Sequence, residues 1–389
     1  MSATTAQLMA HIEGINPFRV MKVMARAAEL EAQGRKIVHM EVGEPDFTTA
    51  QPIIDAARAA LDAGRTRYTP APGIPQLPDL LVEHYQRQYG VGLSRERILV
   101  TPGASGGLLL LAHMLVSAGD GILMSDPAYP CVRNFIRLMN AEPQLVRVGM
   151  QENFQPTLQQ LQQQRLNNTR GLWLASPGNP AGTIIDRARL QAICDWTRAE
   201  GLHLLVDEIY HGLHYVEDMP SVLEFDPATF VVNSFSKYFG MTGWRLGWIV
   251  VPETHVEIAN ILAQNLYISA PSIAQYAALA AFTEETQLIL EQRRSAFRQR
   301  RDYLTTALRD LGFRFSENIE GAFYIYANIS GFSDNAETFC NDLLEQHGVA
   351  ITPGTDFGEY NGQQYVRLAF TTDMKNLELG VERLRAAVS

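Results

Sequence analysis

Asn233-Ser-Phe-Ser-Lys-Tyr-Phe-Gly-Met-Thr-Gly-Trp-Arg-Leu-Gly-Trp248 joins two apolar β-type runs, Thr229-Phe-Val-Val232 before it and Ile249-Val-Val251 after it. Lys237 stands just past the first run, between hydroxyl residues and aromatics. Its charged companion is Arg245, eight residues on and beyond Gly240 and Gly243. A nearby cation and poor access of water both disfavour ammonium, which lowers a lysine's pKa and makes the amine nucleophilic. A solvated loop lysine is the competing reading, and the rest of the chain decides between the two.

Working outward, apolar runs alternate with helical patterns on the N-terminal side of this stretch. Ile98-Leu-Val-Thr101 leads into Pro102-Gly-Ala-Ser-Gly-Gly107 and the apolar helix 108–116. A strand, a loop of small residues and a helix start aim several N–H groups and a helix dipole at one spot, an anion cradle suited to a phosphate monoester. The loop is neither G-x-G-x-x-G nor G-x-x-x-x-G-K-[ST], and a plain tight turn is the alternative. Gly121–Met124 runs to Tyr129, Gly171–Ala175 opens onto Ser176-Pro-Gly-Asn-Pro-Ala-Gly182, and Leu202–Val206 ends at Asp207-Glu-Ile-Tyr210. Such runs predict an α/β fold with a buried, mainly parallel sheet whose strand C-terminal ends carry the site. Ser105, Tyr129, Asn179, Asp207 and Lys237 all fall at those ends. The run 247–251 is read as antiparallel. Arg65–Leu77 reads as a proline-rich loop, and 287–309, holding Arg293, Arg294, Arg298, Arg300 and Arg301, as a long solvated connector. Beyond it, strands at 314–315, 322–327, 349–352 and 365–370 with two helices predict a smaller α+β unit onto which the N-terminal residues pack.

The 389 residues suffice for two domains, and 46% hydrophobic with 19% charged residues is an ordinary globular composition. A net charge of −10 and the lack of a basic tract argue against nucleic acid as a partner. No apolar run approaches membrane-spanning length. Cys131, Cys194 and Cys340 have no paired spacing, and the first residues carry no signal-peptide pattern, so a reducing cytoplasm is expected. Glu208, His211 and His214 share one stretch without H-E-x-x-H or a cysteine partner. They are read as turn and surface residues, and no metal is expected.

A reactive lysine, a phosphate cradle with an arginine, a buried carboxylate and aromatics at strand ends together suit pyridoxal 5′-phosphate. Its aldehyde takes an amine, its phosphate takes N–H donors and an arginine, its ring nitrogen takes a carboxylate, and its flat ring takes an aromatic. At this point a resemblance enters. Ser234–Gly247, Ser176–Gly182 and Asp207–Tyr210, in this order, resemble the aspartate aminotransferase superfamily, the class I and II aminotransferases of fold type I. The likeness runs from Val42-Gly-Glu-Pro-Asp-Phe47 to Val366-Arg-Leu-Ala-Phe370.

The resemblance implies a large cofactor-binding domain with a mainly parallel seven-stranded sheet flanked by helices (48–290). It adds a small α+β domain built from both termini (1–47 and 291–389). It further implies that Lys237 holds the cofactor and carries the substrate's α-proton, and that Asp207 pairs with the ring nitrogen. Tyr210 and Asn179 are implied at the phenolic oxygen, and Ala104, Ser105, Ser234, Ser236 and Arg245 at the phosphate. Tyr129 stacks on the ring. Tyr68 reaches the phosphate of a neighbouring subunit, which implies a homodimer with shared sites. Arg367 forks onto the substrate α-carboxylate, near Gly43 and Asn179. The reaction implied is amino transfer from an L-amino acid to a 2-oxo acid; a carbon–sulfur β-lyase or a decarboxylase is the alternative on the same fold. Non-catalytic regulators with this domain add a winged-helix segment, for which the chain leaves no room. Ser105 stands where aspartate-preferring relatives often carry lysine, which argues against a strictly acidic substrate. The 265–269 segment and the stretch before Phe18 are expected to line the side-chain pocket.

Overall fold

The computed structural model describes Gly14, Ile15 and residues 17–388. Expectations about residues 1–13 and 16, including the N-terminal end of the small domain, the signal-peptide reading and most of the stretch before Phe18, lie outside the described residues.

In chain order the elements begin with α1 (Arg19–Ala32), β1 (Val38–His39), α2 (Gln51–Asp62), α3 (Gln76–Tyr89), β2 (Ile98–Thr101) and α4 (Gly103–Leu115). Then come β3 (Gly121–Asp126), α5 (Pro130–Leu138), β4 (Glu142–Arg147), α6 (Leu158–Gln164), β5 (Thr169–Ala175), α7 (Arg187–Ala199), β6 (His203–Asp207), β7 (Phe230–Ser234) and β8 (Gly247–Val250). The C-terminal part holds α8 (Val256–Leu266), α9 (Ser272–Leu279), α10 (Glu284–Asp310), β9 (Tyr324–Asn328), α11 (Ala336–Asp342), β10 (Val349–Ala350), β11 (Thr352–Pro353), β12 (Tyr365–Ala369) and α12 (Met374–Val388).

Seven strands form one sheet in the order β2-β8-β7-β6-β5-β3-β4. All neighbours are parallel except β8, which runs antiparallel to both β2 and β7. The reason is local. Residues 235–246 return the chain to the sheet without a crossover helix, and only an antiparallel partner can be reached that way. Every residue of β2, β7 and β8 is buried, as strands covered on both faces require. The C-terminal strands form an antiparallel sheet, β11-β12-β9, and β1 pairs in parallel with β10, Val38 opposite Val349. The N-terminal segment therefore completes the C-terminal unit.

Four local readings differ from the structure. Helix α3 starts inside the supposed proline loop. Pro78 is tolerated because it lies in the first turn, Leu77, Leu81 and Tyr85 face inward, and Gly90 ends the helix at φ 68°. Residues 314–315 make a single bridge, Arg314 opposite Asn328, rather than a strand. Helix α10 is more than a solvated connector: Leu290, Phe297, Arg300, Leu304 and Leu308 form a buried stripe. Arg300 on that stripe grips Asp46 through two bonds of 2.8 and 2.9 Å. Finally, His211 is buried and His214 largely so, not on the surface.

One glycine fixes the turn after β6 against the lysine-bearing loop. Gly212 has φ +89°, and a Cβ there would lie 2.4 Å from Cγ of Tyr238, the residue after Lys237. Gly212→Ala combines left-handed strain with a displaced ring, so a loss of ~2 kcal/mol or more is expected. Urea unfolding measures it, and a variant as stable as the parent would show that the contact does not hold the loop.

Candidate active site

The C-terminal ends of β2, β3, β5, β6 and β7 converge on a cavity of about 450 Å³, closed from the other side by α1, the Gly43–Glu44 loop, Tyr324 of β9 and Arg367 of β12. Ala104, Ser105, Tyr129, Asn179, Asp207, Tyr210, Ser234, Ser236, Lys237, Arg245, Gly43 and Arg367 all line it. Tyr68 does not: in this single chain its side chain is 81% exposed. Nor do residues 265–269 line the cavity, whereas Phe18, Met21 and Met24 do.

Lys237 donates to the Gly43 carbonyl at 2.7 Å. Burial pulls its pKa below the ordinary lysine value; Arg367 and Arg245 push the same way, while Tyr324 and Glu44 oppose them. The direction is the one the sequence suggested, and it favours free amine. Asp207 is buried, and its pKa is raised to about 6 by loss of solvent, against an N–H bond from Ile209 and the charge of Lys237. A carboxylate in that state is under-compensated and suits a cationic N–H partner in the cavity.

The cradle at α4 depends on missing side chains. A Cβ on Gly247 would lie 2.8 Å from the Ala104 nitrogen, and one on Gly103 would lie 2.7 Å from Arg245 Nη2. The helix start, the β8 backbone and the Arg245 guanidinium thus approach one another closely. Ser234 Oγ lies 2.9 Å from Ser236 Oγ and 3.0 Å from the Ser236 nitrogen, which fixes both hydroxyls beside them.

Arg367 is buried between two aromatic faces, 4.2 Å from the Tyr324 centroid and 4.6 Å from that of Phe357. Its Nη1 donates to Asn179 Oδ1 at 2.9 Å and its Nη2 to the Glu41 carbonyl, but Nε is a buried donor with no partner among the described residues. Arg367 lines the cavity, and a planar guanidinium fixed there is suited to a carboxylate ligand. Asn179 therefore meets Arg367 directly, and Tyr210 Oη meets Tyr324 Oη at 3.0 Å. Tyr129 stacks on Phe18, centroids 6.3 Å apart. Tyr324 and Phe357 were not singled out from sequence. Each reads there as an ordinary core aromatic in an apolar segment, and nothing local signals otherwise.

Behind the lysine loop, Glu208 is buried next to Asp207. It accepts from Ser221 Oγ at 3.0 Å and from the Val222 nitrogen at 2.9 Å, and burial raises its pKa to about 8. Burial lowers His211 to about 3 and His214 to about 4, so both are neutral. Among the described residues no group of three potential ligands converges to hold a metal ion.

A family profile for aminotransferase class I and II matches residues 35–384. The chain belongs to this family. It is an aminotransferase, and members of the family are pyridoxal-phosphate enzymes. It is 37% identical to a valine–pyruvate aminotransferase of Mycobacterium tuberculosis, over 95% of this chain and 96% of that one. It is 35% identical to a (5-formylfuran-3-yl)methyl phosphate transaminase of Methanocaldococcus jannaschii, over 95% and 96%. The solved aspartate aminotransferase of Thermus thermophilus with maleate superposes with a TM-score of 0.92 at 31% identity, over 97% of this chain and 98% of that one. The fold is that of these enzymes. The relatives' activities do not favour the lyase or decarboxylase alternative. Among the described residues, no helix of this aminotransferase is long and apolar enough to cross a membrane.

The donor set fits the family's cofactor in kind: an amine whose pKa is pulled down by burial, a buried carboxylate whose pKa is raised, and a glycine-lined cradle beside Arg245.

Glu208 makes a pH prediction. Its folded pKa of about 8 lies above the ordinary 4.5, so the fold favours its protonated form. Its stabilising contribution is full below about pH 4.5 and is lost as pH rises to about 8. Glu208→Gln keeps an acceptor for Ser221 and Val222 and removes the titration. Thermal melts at constant cofactor saturation should show the variant gaining on the parent as pH rises through this window; a constant difference would place the titration elsewhere.

Proposed function

We propose that this aminotransferase binds pyridoxal 5′-phosphate in the cavity at the sheet's C-terminal edge and moves an amino group from an L-amino acid to a 2-oxo acid in two half-reactions. The observation that carries the reading is Lys237. Burial and two arginines pull its pKa down, and it shares its cavity with a buried carboxylate whose pKa is raised.

Bound there, the cofactor supplies an electron sink for the substrate's Cα–H bond pair. The protein supplies the rest. Asp207 would keep a proton on the ring nitrogen, and the Tyr210 hydroxyl and Asn179 would hold the phenolic oxygen. Arg245, Ser234, Ser236, Ser105 and the Ala104 N–H would hold the phosphate. Tyr129 would supply an aromatic face to the ring. Arg367 and the Gly43 backbone fix the substrate's α-carboxylate, which sets the Cα–H bond towards Lys237. Once the substrate's amino group had displaced it from the cofactor, the Lys237 amine would be the base that takes the α-proton and carries it between substrate and cofactor. The 2-oxo acid then enters the same sub-sites, and the same groups act in reverse.

We read residues 48–290 as the large domain, with 1–47 and 291–389 as the small one. The enzyme is a cytoplasmic homodimer in which Tyr68 completes the partner's phosphate site; its 81% exposure in the isolated chain supports this.

The donor carries a neutral side chain. Of the described cations that line the cavity, Lys237 holds the cofactor, Arg245 its phosphate and Arg367 the α-carboxylate. Phe18, Val20, Met21 and Met24 add an apolar stretch of wall.

Lys237→Ala should abolish the visible absorbance of the bound cofactor and nearly all turnover, and retained turnover would sink the assignment. Hybrids of Lys237→Ala and Tyr68→Phe chains should regain part of the activity that each homodimer lacks; no rescue removes the shared site. A donor panel with pyruvate and 2-oxoglutarate should give aliphatic or aromatic amino acids kcat/KM values about tenfold or more above aspartate. Preference for aspartate would overturn the donor class alone.

A further inference from the structure

We propose that Asp126 is a positioning residue: it latches the 354–360 loop of the C-terminal unit onto the sheet edge, and that loop in turn sets Arg367 and α1 for the substrate. The inference rests on the function proposed above.

Asp126 closes β3 and is buried, three residues before Tyr129. Its carboxylate accepts from the other unit. The Glu359 N–H lies 3.2 Å from Oδ1 and 3.3 Å from Oδ2, and the Tyr360 N–H lies 3.1 Å from Oδ2. The approach needs a glycine, since a Cβ on Gly358 would lie 1.8 Å from Asp126 Oδ1. The Phe357 carbonyl is held from the same side, by the Ala128 N–H at 3.0 Å and by Nη2 of Arg133. Arg147, opposite Asp126 on β4, sets its guanidinium 5.6 Å from the centre of the Tyr360 ring. Bonds to a carboxylate are stronger than those to a neutral acceptor, which makes Asp126 the main fastening of the loop.

Two parts of the substrate site hang on that loop. Phe357 is buried and covers one face of the Arg367 guanidinium, 4.6 Å from the ring centre. Asp356 accepts from the Arg19 nitrogen at 2.8 Å and from the Val20 nitrogen at 3.4 Å. The first turn of a helix has N–H groups without intrahelical partners, and Phe18 before α1 makes no side-chain cap. Asp356 supplies the cap from the far end of the chain, and α1 carries Phe18, Val20, Met21 and Met24 to the cavity wall. A loop released from Asp126 loosens the α-carboxylate arginine and the apolar wall together. Lys237, Asp207 and Arg245 belong to other strand ends, so the loss falls on substrate affinity.

Asp126→Ala removes the latch. In the holoenzyme, KM for the preferred amino donor should rise about tenfold while kcat changes by less than about threefold. The dissociation constant of a non-reactive carboxylate (3-phenylpropionate, or maleate if the parent prefers an acidic donor) should rise by a similar factor in calorimetry. Absorbance of the bound cofactor should match the parent. Gly358→Ala should raise the same two constants by pushing the loop off the carboxylate. Combined, the two substitutions should cost little more than either alone. Unchanged KM and carboxylate affinity in Asp126→Ala overturn the proposal. So do fully additive effects, or a fall in kcat and cofactor retention as large as the rise in KM. If Asp126→Ala folds poorly, Gly358→Ala decides: it must raise both constants with kcat kept, and unchanged constants refute the latch. The wider reading fails separately, by absence of bound-cofactor absorbance in the parent enzyme.

Discussion

An ammonium group taken out of water is unstable unless something replaces its hydration. Lys237 meets that cost with a single bond to the Gly43 carbonyl, and two arginines line the same cavity. The ammonium form is consequently disfavoured, and the free amine is the state a nucleophile and proton carrier needs. Much of the surrounding architecture maintains that condition. The loop 235–246 brings the lysine to the sheet edge, β8 returns antiparallel to cover it, and the turn at Gly212 is packed against the following tyrosine. Asp207 answers the same lack of solvent with the opposite sign. Two groups pushed towards neutrality in one cavity are what a cofactor with an N–H cation and an aldehyde can use.

A second constraint is close approach. Gly103, Gly247 and Gly43 are positions where one methyl group would collide with, respectively, the Arg245 guanidinium, the start of α4 and the Tyr324 hydroxyl. Their value lies in what they let neighbours do: an arginine and the start of α4 approach the β8 backbone closely, and a tyrosine reaches the lysine's own anchor. Arg367 shows the complementary device. Its charge is sandwiched between aromatic faces, and two of its five N–H groups are fixed by Asn179 and the Glu41 carbonyl. A planar cation clamped in this way binds a carboxylate with little ordering left to do.

The strand ends that carry Ala104, Tyr129, Asn179, Asp207 and Ser234 were legible because each follows a continuous apolar run, and buried parallel strands have that signature. The antiparallel turn of β8 was legible too, since the connection before it is too short for a crossover. Helix α3 was hidden by prolines that fall before it and in its first turn. The buried stripe of α10 was hidden by arginines, one of which, Arg300, is itself buried against Asp46. His211 and His214 look like surface residues only when their packing partners, far away in sequence, are out of view.

The sequence by itself determined the sheet and the order of the motifs, and it singled out Lys237, because these rest on local periodicity and on neighbours within about a dozen residues. Only the tertiary structure decided that Asn179 meets Arg367, that Tyr324 stands between Arg367 and Tyr210, and that Gly43 anchors Lys237. Those contacts join residues more than a hundred positions apart, except for Arg367 and Tyr324, which lie diagonally on the adjacent strands β12 and β9. No local pattern encodes them. They exist because β1 and β10 tie the two ends of the chain together and carry the C-terminal strands over the sheet edge where the lysine waits.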